Sequence, residues 1–296
     1  MASWEETFTS WAKGPGKTEQ DKCENAENAV KKAISASKKL STMDVTVFAQ
    51  GSYAARTNVR QNSDVDICVR LNSHSFCDYP PGKTDADYGM VASDFTFADY
   101  RNLVGEALSS YLGAKAVTRG NKAFDVHENT YRIDADVIAT FEHRRYYSDG
   151  TNQWHSGIAF NTDDGELIKN FPTHCYDNGV EKNDRTSRRY KRVVRILKRL
   201  RDVMQEEKVI AANNVASFLI ECLVWNVPDT HFSHDTYAAD VREVLAHAFN
   251  ATLTDRDCSE WVEVNRLKWL FKGSKPWTRQ QAHDYLSAAW DRCGFK

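Results

Sequence analysis

The clearest structural signals of the chain lie in residues 45–71, VTVFAQGSYAARTNVRQNSDVDICVRL. The first six of these residues, 45–50, are rich in β-branched and aromatic side chains and predict a short strand. That strand ends at Gly51-Ser52, where Ser52 occupies the position of a helix N-cap ahead of the short segment YAART. A strand that runs through such a turn into a helix presents backbone N–H groups, which suit a phosphate.

The second half of this stretch, residues 64–71, alternates Asp64 and Asp66 with apolar residues. This period of two predicts a half-buried strand with both carboxylates on one face and their Cα atoms about 6.5 to 7 Å apart. Two unpaired carboxylates at that spacing repel each other, and Mg²⁺ bound between them would relieve the repulsion. An acidic pair on a strand is by itself common on solvated surfaces. The phosphate-type turn twelve residues upstream favours the metal-binding interpretation.

A third β-rich segment, residues 131–141, again carries two carboxylates two positions apart, Asp134 and Asp136. One of them would complete a two-metal site for in-line phosphoryl displacement. The spacing alone does not say which one.

The rest of the chain predicts helices around this core. An opening helix is expected over 18–40, and a helix closed by glycine over 97–113, with an exposed polar insertion at 72–94 between them. After residue 160 the pattern becomes helical, and helices are expected at 184–208, 213–227, 236–250, 257–271 and 278–291.

The composition is that of a globular protein with a substantial core. Of the 296 residues, 41% are hydrophobic, and 39 basic against 41 acidic residues leave a net charge of -2, so no global field indicates nucleic acid or membrane. The seven cysteines are scattered singly, which predicts reduced thiols. No signal-peptide core and no run of about 18 apolar residues is present, which predicts a cytoplasmic protein.

The motifs together resemble the polymerase-β-like nucleotidyltransferases, and among them the bacterial cGAS/DncV-like enzymes. The likeness lies in QGSY at 50–53, Thr57, SDVDI at 63–67 and ADVI at 135–138. By this resemblance Asp136 is the third metal ligand and Asp134 is its neighbour on the same face.

The resemblance continues beyond the core. Residues 165–183 are similar to the family's linker, residues 186–200 resemble the basic helix that carries a triphosphate-contacting lysine, here Lys198, and residues 217–228 resemble the helix whose serine, Ser217, reaches the same phosphates.

The resemblance implies a bilobed enzyme with a mixed sheet, a helical lobe and a central cleft for nucleotides. The expected domains are a nucleotidyltransferase core with its N-terminal helix, 1–165, and a helical lobe, 166–296. Two Mg²⁺ ions, or Mn²⁺ in their place, would be held by Asp64, Asp66 and Asp136, which would also be the catalytic residues. The expected nucleotide-binding residues are Gln50, Gly51, Ser52, Lys198 and Ser217.

The implied function is synthesis of a cyclic di- or trinucleotide signal from NTPs in antiphage defence. ATP, GTP and pyrimidine NTPs are candidate substrates; no template and no membrane are needed, and regulatory proteins and a downstream effector are candidate partners. Two alternatives stay open: a template-independent RNA or tRNA nucleotidyltransferase, and an inactive nucleotidyltransferase fold that serves as a binding module.

Several of these residues also have ordinary structural interpretations. Apart from Lys198, the basic residues of 185–201 are expected mostly to face solvent. Ser217 can equally pack inside its helix. Tyr53 and Phe171 are expected in the core, with stacking on a base as the alternative.

Overall fold

A computed structural model describes residues 3–59 and 64–296 of the chain. They divide into two compact units: a sheet unit made of residues 16–54 and 64–172, and a helical unit made of 3–15, 55–59 and 173–296. In the part of the chain that is described, no helix is long and apolar enough to cross a membrane. All seven cysteines are free thiols. The functional division into 1–165 and 166–296 stays a prediction.

The sheet unit contains one mixed sheet of seven strands. Its elements are α2 (Lys17–Ala36), β1 (Val45–Ala49), most of α3 (Gly51–Ala55), β2 (Val65–Asp78), α4 (Phe97–Leu112), β3 (Val117–Arg119), β4 (Phe124–Val126), β5 (Ala135–Tyr146), β6 (Trp154–Asn161) and β7 (Leu167–Asn170). The main path runs β1-β2-β5-β4-β3, and β6 and β7 extend it from β5. Only the central pair, β2 and β5, is parallel.

The alternating pattern that predicts β2 works as expected. Val65, Ile67, Val69 and Leu71 are buried at 1% exposure or less, in one core with residues of α2, α4 and β5. The polar residues between them therefore lie on the other face of the strand, which is how the sequence places Asp66 at the surface of the sheet.

Two boundaries of the sheet differ from the sequence prediction. β2 continues to Asp78, so the predicted insertion 72–94 is wrong for its first seven residues. The register between β2 and β5 shifts between Leu71 and Ser75, and this irregularity lets the polar run continue as a strand although its alternation is lost. β5 begins at Ala135, later than predicted.

The helical unit contains α1 (Trp4–Trp11), α5 (Pro172–Arg185), α6 (Arg189–Glu206), α7 (Ser217–Asn226), α8 (Tyr237–Ala251) and α9 (Arg279–Cys293). The helix predicted over 184–208 is therefore two elements, α5 and α6, which meet at the left-handed residues Ser187 and Arg188. The apolar stripe of α6 is fully buried, for example at Tyr190 and Leu197.

The helix predicted over 257–271 does not form. Residues 257–271 make turns and an isolated bridge between Val262 and Trp269. The Asn265 side chain accepts hydrogen bonds from the backbone N–H groups of Leu267 and Lys268, at 2.8 and 3.1 Å. Such local bonds compete with helical ones, and Arg266 adopts a positive φ of 61°. The buried apolar residues of this segment misled the sequence prediction.

Candidate active site

The turn that follows β1 is tied directly to β2. The backbone N–H of Gln50 donates to the carbonyl of Asp66 at 2.8 Å, and Gly51 has a φ of +68°. Since α3 begins at Gly51, Ser52 lies inside its first turn and the predicted N-cap position is wrong. Gly51 nevertheless lies beside Asp66, as the sequence predicts.

Gly51 is required by this close approach. A Cβ atom at residue 51 would lie 2.1 Å from Oδ2 of Asp66, far inside van der Waals contact. Its left-handed backbone also favours glycine. The carboxylate of Asp66 therefore fills the space that any other side chain at residue 51 would need.

The strand register brings the carboxylates together. Asp66 of β2 is the register partner of Asp136 of β5, and Asp136 is in turn the register partner of Asp125 of β4. Neighbouring strands lie about 4.8 Å apart, so these three residues occupy one row across the sheet. Asp64 lies just before β2 and is exposed.

Among the described residues, the neighbours that shift the pKa values in this row are acidic. Burial, and then repulsion from Asp64, raises the pKa of Asp66 from 3.8 to about 6. Burial, followed by Asp64, Asp66 and Asp125, raises the pKa of Asp136 to about 6. Burial and nearby carboxylates also raise the pKa of Asp64. Each neighbour that shifts these pKa values is itself a carboxylate, which is the electrostatic condition of a cation site.

The structure separates Asp134 from Asp136, which spacing could not do. Oδ1 of Asp134 accepts a hydrogen bond from the backbone N–H of Glu128 at 2.6 Å, so this carboxylate stabilises a loop. Asp136 instead shares its row with Asp66. Asp125 was missed by the sequence reasoning; its signal is the short alternating run Phe124-Asp125-Val126.

The donor set suits Mg²⁺ in chemistry, since hard cations prefer carboxylate oxygens. Among residues 3–59 and 64–296, however, no three His, Cys, Asp or Glu side chains are already placed to hold a metal ion together. The site thus has suitable ligands in neighbouring positions without their being preassembled into a coordination sphere.

Lys198 is placed in the core of the helical unit, at 2% exposure. Its ammonium group donates to the carbonyl and hydroxyl of Thr57, at 3.2 and 3.1 Å, and to Glu221 at 3.2 Å. Thr57 in turn donates to the same oxygen of Glu221 at 2.9 Å. The three residues form a closed buried network, which sequence reasoning did not anticipate. The phosphate contact of Lys198 stays a prediction.

The other basic residues of α6 correct a prediction. Lys191, Arg195 and Arg201 are buried, at 9%, 8% and 6% exposure, where a solvated face was expected. Arg195 donates to the backbone carbonyls of Ala12 and Arg56. These charged side chains therefore lie inside the helical unit and do not form a solvated face.

Ser217 is also engaged by this helix. Its hydroxyl accepts a hydrogen bond from Nη1 of Arg201 at 2.9 Å. Of the remaining motif residues, Phe171 is buried at 1% exposure, as expected for the core, and Ser63 lies outside the described residues. The phosphate contact of Ser217 stays a prediction.

Comparison with known proteins identifies the class. Residues 177–294 match the model of the cGAS/DncV-like nucleotidyltransferase C-terminal helical domain. The chain is 41% identical to the cyclic dipyrimidine nucleotide synthase CdnE of Legionella pneumophila over 97% of both chains. It is 38% identical to that of Cecembia lonarensis over 98% of both.

A solved structure extends the comparison. The Elizabethkingia meningoseptica CdnE cyclic dinucleotide synthase with GTP and Apcpp is 36% identical, with a TM-score of 0.83, and the match covers 99% of this chain and 100% of that one. The fold is that of this cyclic dinucleotide synthase.

The chain belongs to the cGAS/DncV-like nucleotidyltransferase family. The predicted class, an enzyme of cyclic oligonucleotide synthesis with a mixed α and β fold, is thereby confirmed.

Proposed function

We propose that this protein joins two NTPs into a cyclic dinucleotide by two successive nucleotidyl transfers that depend on Mg²⁺. The observation that carries the proposal is the row of carboxylates, in which burial and repulsion from neighbouring carboxylates raise the pKa values of Asp66 and Asp136 to about 6. A protein retains such a destabilising arrangement where a cation uses it.

The chemistry follows from the donor set. Asp64, Asp66 and Asp136 would hold the ions, with Mn²⁺ as an alternative to Mg²⁺; the ions would neutralise the charge that develops on the transferred phosphoryl group. Asp136 would also orient the ribose hydroxyl that attacks the α-phosphate. Pyrophosphate leaves, and a second attack within the linear intermediate closes the ring and releases a second pyrophosphate.

The binding residues complete this proposal. The backbone at Gly51 and the hydroxyl of Ser52 would contact the phosphates next to Asp66, where the absence of a Cβ allows close approach. Gln50 holds the turn against Asp66 through its backbone. Lys198 and Ser217 would reach the phosphates only by exchanging hydrogen bonds that they now make within the helical unit.

The base choice is proposed from the relatives. Two relatives that match almost the whole chain are named as cyclic dipyrimidine nucleotide synthases, so pyrimidine NTPs are the proposed substrates. A purine-containing product is the second candidate, favoured by the comparable similarity to the Elizabethkingia enzyme solved with GTP.

The two earlier alternatives are less well supported. The relatives are named as cyclic nucleotide synthases, which speaks against an RNA or tRNA nucleotidyltransferase. An inactive binding module would gain stability by losing carboxylates that repel one another, and Asp64, Asp66 and Asp136 are all present. A role in antiphage signalling in the cytoplasm, with a regulator and a downstream effector, remains part of the proposal.

The test is incubation of the protein with all four labelled NTPs and Mg²⁺, followed by phosphatase and mass spectrometry. We expect a phosphatase-resistant cyclic dinucleotide that contains pyrimidines, and we expect it to disappear when single pyrimidine NTPs are omitted.

The control is the Asp66→Asn variant under the same conditions, with EDTA as a second control. A ladder of linear products would support an RNA-type polymerase instead. No product from any NTP combination would contradict the proposed activity.

A further inference from the structure

Tyr53 follows Ser52 directly and leaves the turn toward α2. Its hydroxyl donates a hydrogen bond to Oε1 of Glu19 at 2.8 Å, across 34 positions of sequence. Its ring packs against the core of the sheet unit. This bond therefore joins the phosphate turn to a helix that otherwise takes no part in the proposed site.

Glu19 occupies an unusual position on α2. It lies four, seven and eleven residues before Cys23, Ala26 and Val30, all of which are buried, so it continues their stripe on the inner face of the helix. Its neighbours Thr18 and Gln20 are exposed. A carboxylate at the inner end of an apolar stripe needs a polar partner, and Tyr53 supplies one.

The bond is of a strong type. A hydroxyl that donates to a carboxylate makes a charge-assisted hydrogen bond, roughly twice as strong as a neutral one. Burial, and then this bond to Glu19, raises the pKa of the Tyr53 phenol well above its ordinary value. The phenol therefore keeps its proton and remains the donor at neutral pH.

The turn needs such external support. α3 has only five residues, and an isolated helix of that length is unstable in water. Upstream of the turn, the backbone of Gln50 is fixed to Asp66. Downstream, the side chain of Tyr53 is fixed to Glu19. The two bonds flank Gly51 and Ser52 on either side.

We infer that Glu19 is a positioning residue, which acts through Tyr53 to hold the Gly51-Ser52 turn in the orientation that binds the phosphates of an NTP. The inference rests on the proposed function of this turn. Glu19 itself is not expected to contact substrate.

The experiment compares the variants Glu19→Ala, Tyr53→Phe and the double variant with the wild type. The readouts are KM and kcat for NTPs, and the Kd of a non-hydrolysable NTP analogue with Mg²⁺. Each single variant should raise KM and Kd about tenfold, as expected for a lost charge-assisted bond, with kcat nearly unchanged. The double variant should lose less than the sum of the two single variants, because each single variant already removes the bond between Tyr53 and Glu19.

The Glu19→Gln variant provides the rescue. Its amide oxygen can still accept from Tyr53 in a neutral hydrogen bond, so we expect Kd to be only about threefold above the wild-type value. A role of Glu19 through charge alone predicts no rescue and would overturn the inference.

Two variants separate positioning from general stability. Tyr100→Phe removes a buried hydroxyl that donates to the carbonyl of Val69 at 3.1 Å, in the same unit but away from the turn. It should lower Tm and leave KM unchanged. Glu24→Ala removes a carboxylate from the exposed face of α2, where Gln20 is its partner, and should change neither.

The outcomes are distinguishable from failure of the proposed function. Unchanged Kd and KM in Glu19→Ala, or additive losses in the double variant, would overturn the inference while the enzyme remains active. If the wild type forms no cyclic product, the proposed function fails, and the Kd series with the NTP analogue still decides whether Glu19 positions the turn.

Discussion

The two units differ in the kind of group that surrounds their charged side chains. In the sheet unit, Asp66 and Asp136 share one row of the sheet, and the neighbours that shift their pKa values are carboxylates. In the helical unit, Lys198 and Arg201 are more fully buried, yet each is paired with an acidic side chain and bonded to backbone or hydroxyl groups.

This difference separates a ligand site from a structural network. A buried charge that has partners adds little net stability to the fold, but removing one of those partners is strongly destabilising. A group of like charges without partners raises the free energy of the folded protein until a counter-ion binds. Four experiments test this difference between the two units.

The largest expected effect is on catalysis by the Asp66→Asn variant. Because an amide does not replace an anionic metal ligand, product formation should fall about 10³-fold or more, the equivalent of several kcal/mol. In EDTA, Tm should stay the same or rise, because a repelling charge is removed. Activity is measured by cyclic product and Tm by calorimetry.

The matched control is Asp163→Asn in the same unit. Asp163 bonds to Arg101 and Arg119 at 2.9 and 2.7 Å, and the hydrogen bonds from Arg119 lower its pKa. This variant should have a lower Tm than the wild type and the same activity. A parallel loss of Tm in both variants would show that Asp66 is compensated after all.

The second effect concerns the buried pair of the helical unit. Glu221→Leu leaves the ammonium group of Lys198 buried without its counter-ion and should reduce the free energy of unfolding by about 3 to 5 kcal/mol. Adding Lys198→Met to this variant should recover most of that loss. Urea denaturation measures both, and a double variant as unstable as the single one would refute the pairing.

The third effect tests the space at residue 51. Gly51→Ala places a Cβ against the carboxylate of Asp66 and should reduce kcat/KM about 10- to 100-fold, the equivalent of about 1.4 to 2.7 kcal/mol. Gly82→Ala is the control, because its φ is +80° and nothing lies within 4 Å of its Cβ position. Both carry the backbone cost of a positive φ. Equal activity of the two variants would show that the close approach of Asp66 to residue 51 has no effect on activity.

The smallest effect is the pH dependence of stability without metal. The pKa of Asp66 is about 6 in the folded protein and about 3.9 when unfolded, so the folded state binds more protons between these values. Stability should therefore fall as pH rises from about 4 through 6. The difference in Tm between wild type and Asp66→Asn in EDTA isolates this contribution. A difference that is flat with pH would contradict the raised pKa.

Much of this site could be predicted from the sequence, because its signals are local. The alternation around Asp64 and Asp66 fixes their strand face, and the turn at Gly51 follows from the strand before it. The choice of Asp136 over Asp134 needed the resemblance, and Asp125 emerged only from strand register. Register depends on pairing between distant segments, which local periodicity does not contain.

The helical unit was harder to predict for a related reason. The basic run of α6 predicts a solvated face, since lysine and arginine are seldom buried. Their burial depends on acceptors supplied by remote segments, such as the carbonyls of Ala12 and Arg56. The segment 257–271 failed because a single asparagine side chain replaced helical hydrogen bonds with local ones.

The missing Cβ of residue 51 also has a consequence for protein engineering. Because Asp66 occupies that space, the effect of a substitution at residue 51 should depend on the residue at position 66, although the two are separate in sequence. A library that randomises residue 51 alone would return almost only glycine. Shortening residue 66 should relieve the clash of an alanine at residue 51, at the cost of a proposed ion ligand, so genetic selection at either position should report on both.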